Sequence, residues 1–165
     1  MNYISHYNSP LGKITLASDG YALVGLWFDG QKHFDSTLGY GYEEKPLPVF
    51  DRTAAWLDIY FDGRIPDFTP NIVLNGTDFR REVWDILLTI PYGKTMTYGE
   101  IAGKIAQKRG AASISAQAVG GAVGRNPISI IIPCHRVIGA KGSLAGYAGG
   151  IERKAALLRL EGIAL

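Results

Sequence analysis

The chain has 165 residues, 47% of them hydrophobic, which is enough for one domain or two small ones with a buried core. Its single cysteine, Cys134, excludes an internal disulfide, and residues 1–6 lack the basic start and apolar run of a signal peptide, so we expect a cytoplasmic protein. The longest apolar run, residues 128–133, is far shorter than the roughly 18 residues of a membrane span, which excludes a membrane protein.

The net charge of +2 is unevenly distributed along the chain. Residues 1–76, which end at an Asn-Gly turn, contain 5 Lys and Arg against 9 Asp and Glu, whereas residues 77–165 contain 12 against 6. A basic C-terminal half favours a polyanionic partner, because each phosphate that it neutralises releases condensed counterions. An ordinary solvated surface is the alternative explanation of this charge.

The N-terminal half has the pattern of an antiparallel sheet followed by a helix. Three segments alternate between apolar and polar residues and are predicted to be strands: residues 3–7, 13–17 and 21–28. The short turns between them favour an antiparallel meander. Apolar residues at near-helical spacing predict a helix over residues 49–61, and we interpret residues 66–76 as a linker.

The C-terminal half is predicted to be mostly helical. Helical patterns cover four segments: residues 77–88, 97–108, 113–123 and 151–160. Thr97 and Glu100 form a capping box at the start of the second helix, and the glycine-containing turn after it is typical of a helix-turn-helix unit. The third helix consists almost wholly of small residues, which permit close approach either of another protein element or of DNA.

Cys134 follows residues 128–132, which we predict to be a buried strand. Catalytic side chains are common at such a position, because the rigid strand fixes the side chain while the following loop gives access to it. Residues 139–150 contain five glycines and are predicted to form a loop shaped around a bound group.

The neighbours of Cys134 favour a reactive thiol over the alternative, a small buried hydrophobic residue. His135 and Arg136 follow it directly, and a cationic or proton-accepting environment lowers a thiol pKa from about 8.5. Adjacent residues on an extended segment point to opposite sides, so we expect His135 to reach the sulfur through a water molecule. Three residues are candidates for the acid that orients His135: Glu161, Glu152 and Glu100.

The sequence predicts neither a metal site nor a cofactor site. One cysteine and three histidines occur without paired ligand spacing such as Cys-x-x-Cys. The glycine-rich loop lacks both the Gly-Lys-Ser/Thr ending of a phosphate-binding loop and the spacing of a dinucleotide fingerprint.

Residues 132–138, Ile-Pro-Cys-His-Arg-Val-Ile, resemble the active-site signature of the O6-alkylguanine-DNA alkyltransferases, also called methylated-DNA-protein-cysteine methyltransferases. Further segments resemble this family in the same order along the chain: residues 79–84, 90–93, 97–102, 118–120, 126–127 and 146–150. The resemblance implies an α/β N-terminal domain over residues 1–76, with an antiparallel sheet plus a helix. It implies a mostly helical C-terminal domain over residues 77–165, with a winged helix-turn-helix.

The resemblance also implies direct-reversal DNA repair, in which Cys134 accepts the alkyl group from O6 of a damaged guanine in a single-use reaction. By the same resemblance, His135 deprotonates Cys134 through water and Glu161 orients His135. Tyr98 supports the leaving guanine or its phosphate, and Asn126 braces the active-site turn. A packed helix residue, a turn former and a solvated helix end are the alternative interpretations of Tyr98, Asn126 and Glu161.

The implied partner is double-stranded DNA that carries O6-alkylguanine, with O4-alkylthymine left open as a second lesion, and we expect a monomer to bind it. The damaged base must leave the duplex, which costs on the order of a few kcal/mol. The residues implied to contact the DNA are Gln117, Ala118, Gly120, Gly121, Arg125 and Arg136, and those implied to line the base pocket are Tyr147, Ala148 and Gly149.

Two positions depart from the family pattern. Gln117 stands where the family usually has an arginine that fills the space of the flipped base, and glutamine is shorter and uncharged. We therefore expect weaker DNA binding or slower flipping, with the transfer chemistry retained. Ala148 stands where other relatives have a hydroxyl residue near the base, and we expect this difference to alter which lesions are accepted.

Two other functions are alternatives. A non-catalytic alkyltransferase-like sensor would bind damaged DNA through a winged helix without repairing it, but such relatives typically lack the acceptor cysteine. A cysteine hydrolase would use Cys134 and His135, but the sequence shows no separate group to bind an oxyanion.

Overall fold

The computed structural model describes residues 2–31, 41–144 and 147–165. The chain divides into two compact units. The first contains the residues up to Asn75 together with Pro127–Ile131, and the second contains Gly76–Asn126 and Ile132–Leu165. Among the described residues, no helix is long and apolar enough to cross a membrane.

The first unit is built on a four-stranded sheet. Its strands are β1 (Asn2–Ser9), β2 (Gly12–Ser18), β3 (Leu23–Phe28) and β4 (Tyr42–Glu44), in the order β3-β2-β1-β4. The antiparallel pairing of β1 with β2 and of β2 with β3 confirms the predicted meander. β4 pairs with β1 in parallel, so the sheet is mixed. The sequence does not predict β4, because its three residues are all exposed and show no alternation.

Helix α1 (Pro48–Phe61) confirms the helix predicted over residues 49–61. Proline suits the first position of a helix, where the backbone N–H has no partner within the helix. Phe50, Leu57 and Tyr60 are buried on this helix, which contacts β1 and β2. The first unit is thus an α/β domain, as predicted.

Part of the predicted linker over residues 66–76 belongs to the sheet region. The backbone N–H of Leu23 donates to the carbonyl of Asn71 at 2.8 Å, and the N–H of Val73 donates to the carbonyl of Leu23 at 3.0 Å. The segment therefore covers the outer edge of β3, a role that its turn-rich composition does not reveal.

The segment Pro127–Ile131 also lies in the first unit, although the predicted boundary places it in the second domain. The N–H of Leu26 in β3 donates to the carbonyl of Pro127 at 2.9 Å, and the N–H of Ser129 donates to the carbonyl of Leu26 at 3.0 Å. These bonds join residues far apart in sequence, so a boundary drawn from local composition misses them.

The strand predicted over residues 128–132 is wrong. Ile128 makes one isolated bridge with Leu26, and the following residues form turns in which Ile130 has a φ of 70°. The segment is buried as expected, but a short apolar run indicates burial without specifying the backbone conformation. Cys134 consequently lies in a 3₁₀ turn, Cys134–Arg136, and not at the exit of a strand.

The second unit is mostly helical, as predicted. It contains helix α2 (Asp78–Leu87), strand β5 (Met96–Thr97), helices α3 (Tyr98–Arg109) and α4 (Ala116–Gly124), strand β6 (Val137–Ile138) and helix α5 (Ile151–Leu160). β5 and β6 pair in parallel, and two-residue strands are too short to show any periodicity in the sequence. The indole N–H of Trp84 donates to the carbonyl of Ala122 at 2.9 Å, which ties α2 to α4.

The ends of α3 and α4 follow from local sequence. The capping box is confirmed: the Thr97 hydroxyl accepts from the N–H of Glu100 at 3.0 Å, and the Glu100 carboxylate accepts from the N–H of Thr97 at 3.4 Å. Gly110, with a φ of 66°, ends α3, and the Ser115 side chain caps α4. α3 and α4 contact each other, as helix-turn-helix units require, while the winged form of this unit stays a prediction.

Candidate active site

Cys134 is a buried thiol, with 4% of its surface exposed. Burial raises the pKa of Cys134 to about 11, although a hydrogen bond from Asn126 and the charge of Lys154 act in the opposite direction. The lowered pKa predicted from the neighbouring His135 and Arg136 is therefore wrong. The thiol is protonated at neutral pH, and it needs a proton acceptor to become a nucleophile.

His135 and Glu161 form a fully buried pair, with 2.6 Å between Nε2 of the imidazole and Oε2 of the carboxylate. Burial lowers the pKa of His135 and outweighs the opposite effect of Glu161, so the imidazole is neutral near pH 7. The structure thus selects Glu161 among the three candidate acids. Glu100 belongs to the capping box of α3, and Glu152 is exposed at the start of α5.

Glu161 accepts hydrogen bonds at both carboxylate oxygens. Oε1 accepts from the N–H of Gly93 at 3.0 Å and from Nε of Arg136 at 2.8 Å, while Oε2 accepts from Nη2 of Arg136 at 3.2 Å. Burial by itself would raise the pKa of Glu161, but the bonds from His135 and Arg136 lower it to about 2. The carboxylate is therefore ionised and held in one orientation.

Arg136 was expected to contact DNA, and the structure corrects this expectation. Its residue exposure is 9%, and its guanidinium bonds both oxygens of Glu161 and the carbonyl of Ile90 at 2.7 Å. The guanidinium also lies 5.8 Å from the centre of the Tyr92 ring. Because this buried guanidinium gives three of its five N–H donors to partners inside the protein, Arg136 is not presented to a phosphate group at the surface.

Asn126 and Tyr98 lie close to the thiol. Asn126 is buried, its Nδ2 donates to the carbonyl of Ile132 at 2.8 Å, and it contributes the hydrogen bond that lowers the pKa of Cys134. Tyr98, at the start of α3, has a raised pKa because of burial and, secondarily, because of charge on Cys134. Its phenol is therefore protonated at neutral pH.

Lys154 is a site residue that the sequence did not predict. It is fully buried, and its Nζ has no hydrogen-bond partner among the residues that the structure describes. Nζ lies 6.0 Å from the centre of the Tyr98 ring. Burial lowers the pKa of Lys154 to about 8, although charge on Cys134 acts in the opposite direction. Its position on the same helical face as the buried Leu157 and Leu158 is the signal that could have identified it.

One face of α4 is exposed and nearly free of side chains. Four of its residues are exposed: Ala116, Gln117, Ala118 and Gly121. A Cβ atom at Gly121 would meet nothing within 4 Å, whereas one at Gly120 would lie 3.8 Å from the Tyr98 ring. The small residues on this face therefore do not serve internal packing, which leaves the face open to a partner. Arg125, also exposed, follows the end of α4.

A groove of about 690 Å³ lies between the start of α3 and the first turns of α4. It is lined by Thr97, Tyr98, Gly99, Ala116, Gln117, Gly120 and Ala140. Tyr98 lines the groove, and charge on Cys134 contributes to its raised pKa. Tyr98 is therefore close both to the groove and to the buried thiol.

The predicted pocket residues lie directly before α5. Tyr147 and Gly149 are buried, and the Tyr147 ring lies so close to Gly149 that a Cβ atom there would be 2.5 Å from it. Ala148 is half-buried. Gly146, which belongs to the same glycine-rich loop, lies outside the described residues.

No group of three His, Cys, Asp or Glu side chains in the described ranges is arranged to hold a metal ion. His6 lies in the first unit, where its Nε2 is 3.1 Å from the Glu44 carboxylate. His33 lies outside the described ranges.

Comparison with known proteins matches both halves of the chain to one family. Residues 2–73 match the family model of the 6-O-methylguanine DNA methyltransferase, ribonuclease-like domain, and residues 78–163 match that of the 6-O-methylguanine DNA methyltransferase, DNA binding domain.

Curated relatives agree with these models. The methylated-DNA-protein-cysteine methyltransferase of Mycobacterium tuberculosis is 48% identical, over 94% of this chain and 92% of its own length. The protein of the same name from Haemophilus influenzae is 40% identical, over 98% of this chain and 87% of its own. The crystal structure of M. tuberculosis OGT in complex with DNA superposes with a TM-score of 0.84 at 45% identity, covering 96% of this chain and 92% of that chain.

Proposed function

Since the chain belongs to the methylated-DNA-protein-cysteine methyltransferase family, we propose that it repairs DNA by moving the alkyl group of O6-alkylguanine onto its own Cys134. The observation that carries this proposal is the buried His135–Glu161 pair, 2.6 Å apart, directly beside the only cysteine of the chain. A neutral imidazole held by an ionised carboxylate is the arrangement that a buried thiol needs for its activation.

The alkyl transfer has two steps, deprotonation of Cys134 and attack of the thiolate on the alkyl carbon. The Cys134 thiol first gives its proton, through a water molecule, to Nδ1 of His135, because Nε2 is engaged by Glu161. The ionised Glu161 stabilises the imidazolium that forms. The thiolate then attacks the alkyl carbon, a carbon–sulfur bond forms, and the carbon–oxygen bond breaks with its electron pair remaining on O6 of guanine.

The guanine that leaves as an anion must receive a proton. Tyr98 and Lys154 are the candidates for this donor, because the raised pKa of Tyr98 and the pKa of about 8 for Lys154 keep both protonated at neutral pH. Nζ of Lys154 lies 6.0 Å from the centre of the Tyr98 ring, so both candidate donors belong to the same part of the site.

The reaction consumes the protein. The product at Cys134 is a thioether, which has no good leaving group and is not hydrolysed under physiological conditions. A hydrolase would need a covalent intermediate that water can cleave, and a thioether is not one.

DNA reaches the site through the exposed face of α4. The bare surface at Ala118 and Gly121 suits the close approach of a minor groove, and Arg125 adds positive charge at the end of the helix. Extruding the base costs on the order of a few kcal/mol, which phosphate contacts and burial of the base offset. Gln117 lies on this face without the charge of an arginine, so we expect it to weaken DNA binding or flipping.

The decisive experiment incubates the protein with a duplex that contains O6-methylguanine and maps the peptide around Cys134 by mass spectrometry. We expect one methyl group per protein on Cys134, none with Cys134→Ser, and unmodified guanine in the DNA product. Binding without modification would support the sensor, and multiple turnover would support the hydrolase.

The same assay with O4-methylthymine, and with single-stranded DNA, defines the lesion and the strand preference. Action as a monomer, like the cytoplasmic location, stays a prediction from the sequence. Sedimentation of the protein with and without duplex tests the monomer.

A further inference from the structure

The carboxylate of Glu161 is shared between a base and a permanent cation. Its Oε2 lies 2.6 Å from Nε2 of His135 and also accepts from Nη2 of Arg136 at 3.2 Å, while its Oε1 accepts from Nε of Arg136 at 2.8 Å. All three side chains are buried, with 0% side-chain exposure for His135 and Glu161 and 11% for Arg136. The negative charge of Glu161 thus interacts with both a titratable imidazole, His135, and a guanidinium that is always charged, Arg136.

Arg136 changes the effect that the Glu161 carboxylate has on the protonation of His135. A carboxylate beside a histidine ordinarily favours the protonated imidazole, and a guanidinium on the same carboxylate offsets much of that effect. Burial is the largest influence that lowers the pKa of His135; among the charged groups, Glu161 raises it, whereas Arg136 and Lys154 lower it. Tyr92, which faces both Arg136 and Glu161, has a raised pKa mainly because of burial and adds no charge at neutral pH.

The position of Arg136 is itself held from a second direction. Its Nη1 donates to the carbonyl of Ile90 at 2.7 Å, and the neighbouring Gly93 donates from its backbone to Glu161. The guanidinium is therefore tied to the segment after α2 as well as to the carboxylate at the end of α5. A side chain with these fixed contacts can hold the carboxylate in one orientation toward His135.

We propose that Arg136 is a positioning residue that neutralises and orients Glu161, so that His135 rests as an unprotonated imidazole, ready to accept the proton of Cys134. This inference rests on the proposed function, since a proton acceptor for the thiol is needed only if Cys134 is the nucleophile. Arg136 touches neither substrate nor thiol and acts through Glu161.

The test measures the pH dependence of Cys134 alkylation by iodoacetamide in the full-length protein without DNA. In this reaction the carbon–sulfur bond forms, iodide leaves and the thiol proton passes to His135. The rate rises through a lower inflection, where His135 loses its proton and becomes an acceptor. In Arg136→Gln we expect this inflection to move to higher pH by about one unit, the usual effect of losing an adjacent charge.

Two further variants separate charge from structure. Arg136→Lys retains the charge, so its lower inflection should stay close to that of the wild type. Arg109→Gln is the matched control, because it removes another arginine–glutamate pair of the same unit, 2.7 Å from Glu82, and should leave the inflection unchanged. An unmoved inflection in Arg136→Gln, or an equal shift in Arg109→Gln, would overturn the proposal.

A second measurement needs no variant and applies even if Arg136→Gln fails to fold. Nitrogen-15 NMR of the wild-type imidazole reports the protonation of His135 directly. We expect His135 to titrate below the ordinary histidine value of about 6.5, and titration above it would contradict the proposal. Because neither measurement uses DNA, absence of repair activity refutes the proposed function alone, whereas normal repair with an unmoved inflection refutes only the role of Arg136.

Discussion

At the scale of one residue, the buried charge of Lys154 lowers the stability of the folded protein. Its ammonium group is fully buried, without a hydrogen-bond partner in the part of the chain that the structure describes, and its pKa falls from 10.5 to about 8. Between these two values the unfolded chain binds more protons, so the free energy of unfolding rises with pH from about 8 to 10.5. At pH 7 the full cost of burying the charge is present.

Lys154→Met should therefore stabilise the protein at pH 7, by up to about 3 kcal/mol, while slowing the alkyl transfer. Methionine fills a similar volume and has no charge to bury. Urea unfolding and single-turnover transfer to Cys134 measure the two effects. Lys104→Met, at an exposed position of α3, is the control and should change neither. A destabilised Lys154→Met variant would mean that the ammonium group contributes to the fold.

Unlike the buried charge of Lys154, the ionised carboxylate of Glu161 stabilises the folded protein. Its folded-state pKa of about 2 lies below the ordinary value of 4.5, so its ionised form contributes stability that is complete above pH 4.5 and is lost as the pH falls toward 2. We expect the stability difference between wild type and Glu161→Gln to shrink across this window in acid unfolding curves. Glu152→Gln, which changes an exposed carboxylate of α5, should follow the wild type throughout. A difference that is independent of pH would show that Glu161 acts through shape and not charge.

At the scale of one element, helix α4 has one face that packs inside the protein and another that is exposed. Val119, Ala122 and Val123 are buried against the rest of the second unit, while Ala118 and Gly121 leave the opposite face bare. Glycine is unfavourable within a helix by about 1 kcal/mol relative to alanine. Its presence at an open surface position is consistent with selection for close approach by a partner.

Gly121→Gln should weaken binding to duplex DNA by about tenfold or more, equivalent to about 1.4 kcal/mol, without lowering the melting temperature. The new side chain has room in the free protein but obstructs the DNA, since a Cβ atom there meets nothing within 4 Å. Gly103→Gln on α3 is the matched control, because Gly103 is an equally open helical glycine. Fluorescence anisotropy gives the affinities. Equal losses in both variants would remove α4 from the interface.

Gln117→Arg should strengthen duplex binding and make it more sensitive to salt. Each phosphate contact that is gained steepens the dependence of log affinity on log salt by about 0.9. Titrations at several salt concentrations measure the slope, and single-turnover kinetics measure the transfer rate. If neither affinity nor rate increases, Gln117 does not limit the delivery of the base.

At the scale of the whole molecule, the chain alternates between its two units. It leaves the second unit after Asn126, contributes Pro127–Ile131 to the first, and returns at Ile132, two residues before Cys134. Asn126 and Ile132 are joined by a hydrogen bond of 2.8 Å, so the excursion begins and ends at one point of the second unit. This bond therefore fixes the chain two residues before Cys134.

The sequence by itself determined what depends on near neighbours in the chain. The capping box at Thr97 and Glu100 and the helix periodicities are local patterns, and the structure confirms them, although α4 begins at Ala116 and not at the predicted residue 113. The segment around Cys134 likewise indicated the family, because the chemistry is encoded in consecutive residues. The antiparallel meander followed from alternation and turns within about thirty residues.

Only the tertiary structure decided what depends on burial and on distant partners. The pKa of Cys134 is raised because the fold removes water from the thiol, which outweighs the hydrogen bond from Asn126 and the charge of Lys154. Arg136 and Glu161 are far apart in the chain, so their pairing, and with it the loss of Arg136 as a DNA contact, required the folded arrangement. The same reason holds for the buried Lys154 and for the pairing of Leu26 with Pro127. Local patterns show which residues can react, and long-range packing sets the charge state in which they do so.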